Sequence, residues 1–209
     1  MPGVRPCFNG QVRIAAIILA GGEGRRMGGP KALLSAGHES FLARACRLYA
    51  RPGIGVVIAV LGAEAERVRR EAGLPAGVEV VWNQGWSQGM LTSVWRGLDA
   101  AEALAADAVL LHPVDHPLVE PATIDRVARA LAEGALAAVP TWEARRGHPG
   151  GFGRALFGEL RSAPPDRGAR AVLASNEARV VHVPGSSGCV AGIDTPEQYA
   201  LLVSRGLRP

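Results

Sequence analysis

The sequence predicts a single-domain α/β fold, a Rossmann-like three-layer sandwich around a mostly parallel sheet. Two observations carry that expectation. Short apolar, β-branched runs recur along the 209 residues, with helical patterns between most of them. Strands alternating with helices make a mostly parallel sheet covered on both faces. The Pro-Gly-Ser clusters at 52–55, 73–77, 163–168 and 184–188 are turn-sized rather than linker-sized, which argues for one domain.

The first strand is expected at 14–19, directly before a glycine-rich turn. Further strands are expected at 56–61, 78–82, 108–112, 136–140 and 180–183. Helical patterns occupy 40–50, 64–72, 90–105, 121–133, 153–162, 167–174 and 196–205. The start of the last helix is the best marked: Thr195 supplies an N-cap, Pro196 a proline at the first helical position, and Glu197 an acid for the helix dipole. The segment 141–152, "TWEARRGHPGGF", breaks the alternation and is expected to run over the sheet edge near the substrate side. Residues 1–13 read as a loose leader, which leaves 14–209 as the domain.

Composition narrows the function. Hydrophobic residues make up 48% of the chain against 20% charged, as in a globular protein. The net charge is +4, but the arginines are scattered and aromatics are only 5%, which argues against nucleic acid and suits a small polyanion. Cys7, Cys46 and Cys189 are odd in number and far apart, so neither a disulfide framework nor a zinc site is indicated, and a reducing cytoplasm fits. No apolar run reaches the ~20 residues needed to span a bilayer.

The stretch "LAGGEGRRMGGPKALL" (19–34) occupies the turn after the first strand, the usual phosphate cradle of an open parallel sheet. Glycines let backbone N–H groups approach an anion closely and accept positive φ. Two familiar loops fail against it. In the dinucleotide fingerprint the third glycine position falls on Met27, and in the Walker loop Pro30 separates Gly29 from Lys31 while Ala32 cannot ligate magnesium.

The string Leu19-Ala20-Gly21-Gly22-x-Gly24-x-Arg26-Met27-Gly28-x-Pro30-Lys31 resembles the signature of nucleotidyltransferases that activate a phosphorylated substrate with a nucleoside triphosphate. Within that superfamily it is most similar to the molybdenum cofactor cytidylyltransferase and guanylyltransferase group. The resemblance implies the nucleotide-diphospho-sugar transferase type of fold. It also implies a triphosphate wrapped by Leu19, Ala20, Gly21, Gly22, Gly24 and Gly28, with Arg26 and Lys31 acting on its phosphates.

The likeness continues to residue 203. "QGMLTSVWRGL" (88–98) resembles the family's G-M-x-x-S segment and implies that Gly89, Met90 and Ser93 lie near the nucleotide base. "LLHPVDHPLV" (110–119) resembles its D-x-P-L pattern, and "AGIDTPEQY" (191–199) its I-D-T-P-E-D-Y segment. These imply Asp115 and Asp194 as ligands of Mg2+, a hard cation suited to carboxylate and phosphate oxygen. On residue type alone, Asp115 also fits an Asx-turn and Asp194 a neighbour of the helix cap, while His112 and His116 are expected to pack or face solvent. "RRGHPGGF" (145–152) and "DRGARAVL" (166–173) resemble the R-G-H-P and D-x-G-A-R segments, and imply Arg146, His148 and Arg170 as acceptor-binding residues. The sequence departs from the family at Gly150 and Gly151, where bulkier apolar residues are usual, and at Gly192 and Gln198, where acids are usual.

The resemblance therefore implies transfer of a nucleoside monophosphate to a phosphorylated acceptor, molybdopterin cofactor foremost, with release of pyrophosphate and a molybdoenzyme as possible recipient. CTP is favoured by most motifs, while Gly21 matches relatives that use GTP. A sugar or polyol phosphate acceptor, or a non-catalytic molybdopterin carrier, remains open at this point.

Overall fold

The structure, a computed structural model, describes residues 12–205. Residues 1–11 of the expected leader, Cys7 among them, lie outside the described residues. In chain order the elements are β1 (Ile14–Ala20), β2 (Ser35–Ala36), β3 (Glu39–Ser40), α1 (Phe41–Tyr49), β4 (Val56–Leu61), α2 (Ala65–Glu71), β5 (Glu79–Trp82), α3 (Met90–Ala103) and β6 (Ala108–Pro113). They continue with α4 (Pro121–Ala132), β7 (Ala137–Trp142), β8 (Arg145–Arg146), β9 (Gly150–Gly153), α5 (Phe157–Ser162), α6 (Ala169–Ser175), β10 (Val180–Pro184) and α7 (Pro196–Arg205).

The main sheet runs β10-β7-β9-β6-β1-β4-β5, with β8 added beside β7. β1 pairs in parallel with both β4 and β6, β4 with β5, and β7 with β10. β1 is buried along its whole length, and its side chains alternate between two cores. Ile14, Ala16 and Ile18 face α1 and α4, meeting Phe41, Leu42, Ile124 and Leu131. Ala15, Ile17 and Leu19 face α3, α5 and α6, meeting Leu98, Leu160 and Leu173. Helices on both faces of a mostly parallel sheet make the three-layer sandwich that the sequence predicts.

Local chemistry sets the helix ends. Ser40 caps α1 by accepting a hydrogen bond from Ala43 N at 3.0 Å, and Pro121 opens α4 at its first position. At α7 the cap is reciprocal: Thr195 Oγ1 accepts from Gln198 N at 3.3 Å, and Gln198 Oε1 accepts from Thr195 N at 3.1 Å. Gln198 is thus a capping residue, a role an amide performs as well as the family's acid.

The segment 141–152 does not run over the sheet edge. β8 turns back beside β7, and β9 inserts antiparallel between β6 and β7, in the middle of the sheet. Glycine makes this possible. A Cβ on Gly151 would stand 2.8 Å from Val127 Cγ1 and 3.0 Å from Leu131 Cδ1, so α4 packs directly on the β9 backbone. "GGFG" has almost no apolar side chains to signal a strand, which is why the alternation is lost there. Gly150 and Gly151 therefore serve sheet packing; both are buried.

His112, on β6, is fully buried with neither ring nitrogen hydrogen-bonded among the described residues, and its ring lies 5.1 Å from that of Tyr49. Burial pushes its pKa well below the ordinary histidine value.

Two predictions follow from this packing. Gly151→Val should destabilise by roughly 1–3 kcal/mol through overpacking, while Gly158→Ala, in α5 with open space around it, should stabilise by about 0.5–1 kcal/mol. Urea unfolding reads both signs. As for pH, the unfolded chain takes up a proton on His112 near pH ~6.5 that the folded chain refuses, so stability falls as pH drops below that value. Urea midpoints at pH 7.5 and 5 should differ less in His112→Leu than in the unmodified protein.

Candidate active site

The carboxyl ends of β1, β4 and β6 lie side by side, and the loops that leave them build the site. After Ala20 the chain enters the glycine turn. Gly24 (φ 66°) and Gly28 (φ 73°) bracket a short 3-10 turn, Arg25–Met27, closed by Met27 N donating to Gly24 O at 2.7 Å. A Cβ on Gly24 would fall 1.9 Å from Gly29 O, so this position needs glycine for both its φ and its space. The turn presents Arg26 to solvent, while Arg25 pairs with Glu23 at 2.7 Å. Leu19 and Ala20 are buried strand residues that anchor the loop, and Gly22 is exposed on it.

Gly21 is sandwiched. Its carbonyl accepts from Ala63 N at 3.0 Å, and a Cβ on it would come within 2.7 Å of Ser93 Oγ. Ser93 is buried in the first turns of α3, and Asn83, which the sequence reading missed, holds it there. Asn83 Nδ2 donates to Ser93 Oγ at 2.9 Å and to Thr92 Oγ1 at 2.8 Å, and its Oδ1 accepts from Gly85 N at 3.0 Å. Gly89 precedes α3 with φ 117°, and Met90 is 64% exposed beside it.

Pro30 ends the glycine turn, and Lys31 starts a second short 3-10 turn, Lys31–Leu33. Lys31 Nζ donates to Asp115 Oδ2 at 2.9 Å and to Asp194 Oδ1 at 2.6 Å. The two carboxylates therefore converge, with Lys31 between them. Backbone contacts hold their segments together: Ile193 N donates to Asp115 O at 2.9 Å, and Arg44 Nε of α1 donates to Pro117 O at 2.8 Å. Gln198 Oε1 also accepts from Asp194 N at 2.6 Å, so the α7 cap positions this aspartate.

Burial opposes the negative charge on Asp115, but hydrogen bonds from His116 and Lys31 outweigh it and hold its carboxyl well below the usual carboxylate range. Burial likewise opposes the charge on Lys31, and the hydrogen bonds to Asp194 and Asp115 leave its pKa above the ordinary lysine value. Both groups are charged at neutral pH.

His116 is more than a packing residue. Its Nδ1 lies 3.0 Å from Asp115 Oδ1, which leaves Oδ2 to Lys31, and its ring meets His148 edge-on at 4.4 Å between centroids. The signal for it in the sequence was its place next to Asp115. Burial pushes His148 down to about 3, so this ring is neutral at physiological pH and can orient a ligand but carries no charge. A Cβ on Gly192 would lie 3.4 Å from the His116 ring and 3.5 Å from Asp194 Oδ2, so the acid usual in relatives would have joined this cluster.

Two of the three expected acceptor residues lie near each other. His148 belongs to the cluster, and the exposed Arg170 is close enough to depress its pKa through charge. Arg146 on β8 is paired with Glu177 instead of standing free.

The chemistry of the donor set fits a divalent cation. Two carboxylates face one point, and a cation, the Lys31 ammonium, already stands there. Among the described residues no group of three His, Cys, Asp or Glu side chains is placed to hold a metal, so further oxygens would come from substrate phosphate or water, the usual pattern for magnesium.

The chain is similar to known proteins over most of its length. The family model described as "MobA-like NTP transferase domain" matches residues 16–180. The chain is 30% identical to the molybdenum cofactor guanylyltransferase of Rhodobacter capsulatus over 91% of its own length and 90% of that protein. It is also 30% identical to the bifunctional enzyme IspD/IspF of Rhodospirillum rubrum, over 92% of its length and about half (54%) of that enzyme. Among solved structures it is similar to Rv0371c of Mycobacterium tuberculosis H37Rv, with TM-score 0.82 and 28% identity over 93% of this chain and 98% of that one. A second structure of that protein is described as a complex with manganese, with TM-score 0.77 and 27% identity over 92% and 99% of the two chains. The chain therefore belongs to the MobA-like NTP transferase family and is a nucleotidyltransferase of the MobA/IspD type.

Proposed function

We propose that the protein transfers a nucleoside monophosphate from CTP to a phosphorylated acceptor, molybdopterin cofactor foremost, with release of pyrophosphate and with GTP as the competing donor. The observation that carries the reading is the convergence of Asp115, Asp194 and Lys31 at the strand ends beside the glycine turn. Gly21 is the motif position that matches relatives using GTP, and a Cβ there would come within 2.7 Å of Ser93 Oγ. What remains to favour CTP is the set of motifs around Met90, His148 and Arg170.

Chemically, an acceptor phosphate oxygen attacks the α-phosphorus of the triphosphate. A phosphate monoester, with its second pKa near ~6, is largely dianionic at neutral pH, so no general base is required. What the protein must supply is alignment of two anions and neutralisation of the charge that moves to pyrophosphate. The N–H groups of the glycine turn, Arg26 and Lys31 serve the triphosphate. Gly89, Met90 and Ser93 serve the base. His148 and Arg170 orient the acceptor, with Arg146 joining them once it leaves Glu177. Asp115 and Asp194 would hold Mg2+, which when bound supplies charge neutralisation at the phosphates.

The setting is proposed as the cytoplasm, where a molybdoenzyme could receive the product. Three cysteines, odd in number and far apart in the sequence, suit a reducing compartment, and no helix among the described residues is long and apolar enough to cross a membrane.

Pyrophosphate release with each of the four triphosphates, with and without molybdopterin, tests the reading. CTP should exceed GTP in kcat/KM by about tenfold or more, a difference of ~1.4 kcal/mol in transition-state binding. GTP ahead of CTP would reassign the base, and CTP consumption with a polyol phosphate but not molybdopterin would reassign the acceptor. Lys31→Ala should reduce kcat by about 10²-fold or more while circular dichroism shows the fold intact. Unchanged kcat would remove Lys31 from the chemistry.

A further inference from the structure

The Lys31 ammonium occupies the very position, between Asp115 and Asp194, that a divalent cation would take. We propose that Lys31 is an internal counter-ion: it closes the metal site of the free protein, and a nucleoside triphosphate opens the site by drawing the ammonium away, so that metal and nucleotide enter together. The inference rests on the nucleotidyltransferase reading above and adds an order of events to it.

Three observations support the exchange. First, Lys31 makes both contacts at once, 2.9 Å to Asp115 Oδ2 and 2.6 Å to Asp194 Oδ1, so the two aspartates share a single cation. Second, of the 23 lysines and arginines in the chain, Lys31 alone is a lysine. An ammonium is a compact point charge with rotatable donors on a flexible stem, and it can both stand in a metal's place and leave it. A guanidinium would lock a carboxylate in its planar fork. Third, the path out is short. The Asp194 side chain is 56% exposed, while the backbone beneath Lys31 is fixed by Leu33 N donating to Pro30 O at 3.0 Å and Leu34 N to Lys31 O at 3.1 Å. Only the side chain has to move, and the glycine turn begins a few residues before it.

The consequence is quantitative. Apparent affinity for a ligand scales with the fraction of protein in the competent state, so an ammonium that bridges the carboxylates about 90% of the time weakens binding of metal alone by about tenfold. A triphosphate that captures the ammonium removes this penalty. Linkage makes the effect reciprocal, and metal should strengthen nucleotide binding by the same factor.

The test measures Mn2+ binding to the full chain from the loss of the free-ion electron paramagnetic resonance signal. Without nucleotide, Lys31→Met should bind Mn2+ on the order of tenfold more tightly than the unmodified protein, and CTP should then tighten it less than it tightens the unmodified protein. Equal or weaker Mn2+ binding by Lys31→Met overturns the counter-ion role. Lys31→Gln is the second variant if circular dichroism shows that Lys31→Met does not fold. The unmodified protein offers an independent readout, since a single lysine gives a single side-chain resonance when the protein is labelled with 13Cε-lysine. That resonance should shift when Mg2+ and CTP are added together, and far less with the same Mg2+ alone. An equal shift with Mg2+ alone, or no shift with CTP bound, overturns the proposal. Failure of CTP to bind at all would count against CTP as the donor, and the Mn2+ comparison without nucleotide would still decide the role of Lys31.

Discussion

One ammonium gathers three segments that the sequence keeps far apart. Lys31 reaches Asp115, 84 residues away, and Asp194, 163 residues away, and each of the three follows a different part of the fold. An unpaired carboxylate as enclosed as Asp115 would be costly, and so would an unpaired ammonium as enclosed as Lys31. Each makes the other tenable. The glycine turn, the loop after β6 and the cap of α7 all have to be placed so that these charges meet, and much of the loop architecture can be understood as meeting that requirement.

The sheet supplies the placement. Because β1 pairs in parallel with both β4 and β6, the chain leaves all three strands on the same side, so the glycine turn, Ala63 and Asp115 emerge together. The α7 cap then anchors Asp194 through Gln198, and the Ile193 to Asp115 backbone bond closes the circuit. On the other flank, Asn83 ties the end of β5 to α3 and presses Ser93 against Gly21. The Ser93 side and the Asp115–Asp194 side of the site thus depend on different contacts. A substitution on one side need not disturb the other.

The parallel strands and their helices were legible in the sequence because buried strands are continuous apolar runs and helices carry a 3.6-residue period. Asp115, Asp194 and Lys31 were legible through motif resemblance, and the three lie together in the fold. Three features were not legible. β9 hid because a strand made of glycines packs through its backbone and leaves no hydrophobic pattern. Asn83 hid because it acts on other side chains, and such a role depends on distances that linear spacing does not give, whereas His116 was marked by its place next to Asp115. The pairing of Arg146 with Glu177, 31 residues away, was the third, because local sequence offered no reason to pair them.

The account stands on phosphorus chemistry at one site, and the fate of the α-phosphate tests it most directly. With CTP labelled at the α-phosphate, incubation with molybdopterin and magnesium should place the label in the modified acceptor, with unlabelled pyrophosphate formed in equal amount. Label released as free CMP, or phosphate cleaved from the γ position instead, would contradict nucleotidyl transfer and with it the role assigned to Lys31, Asp115 and Asp194.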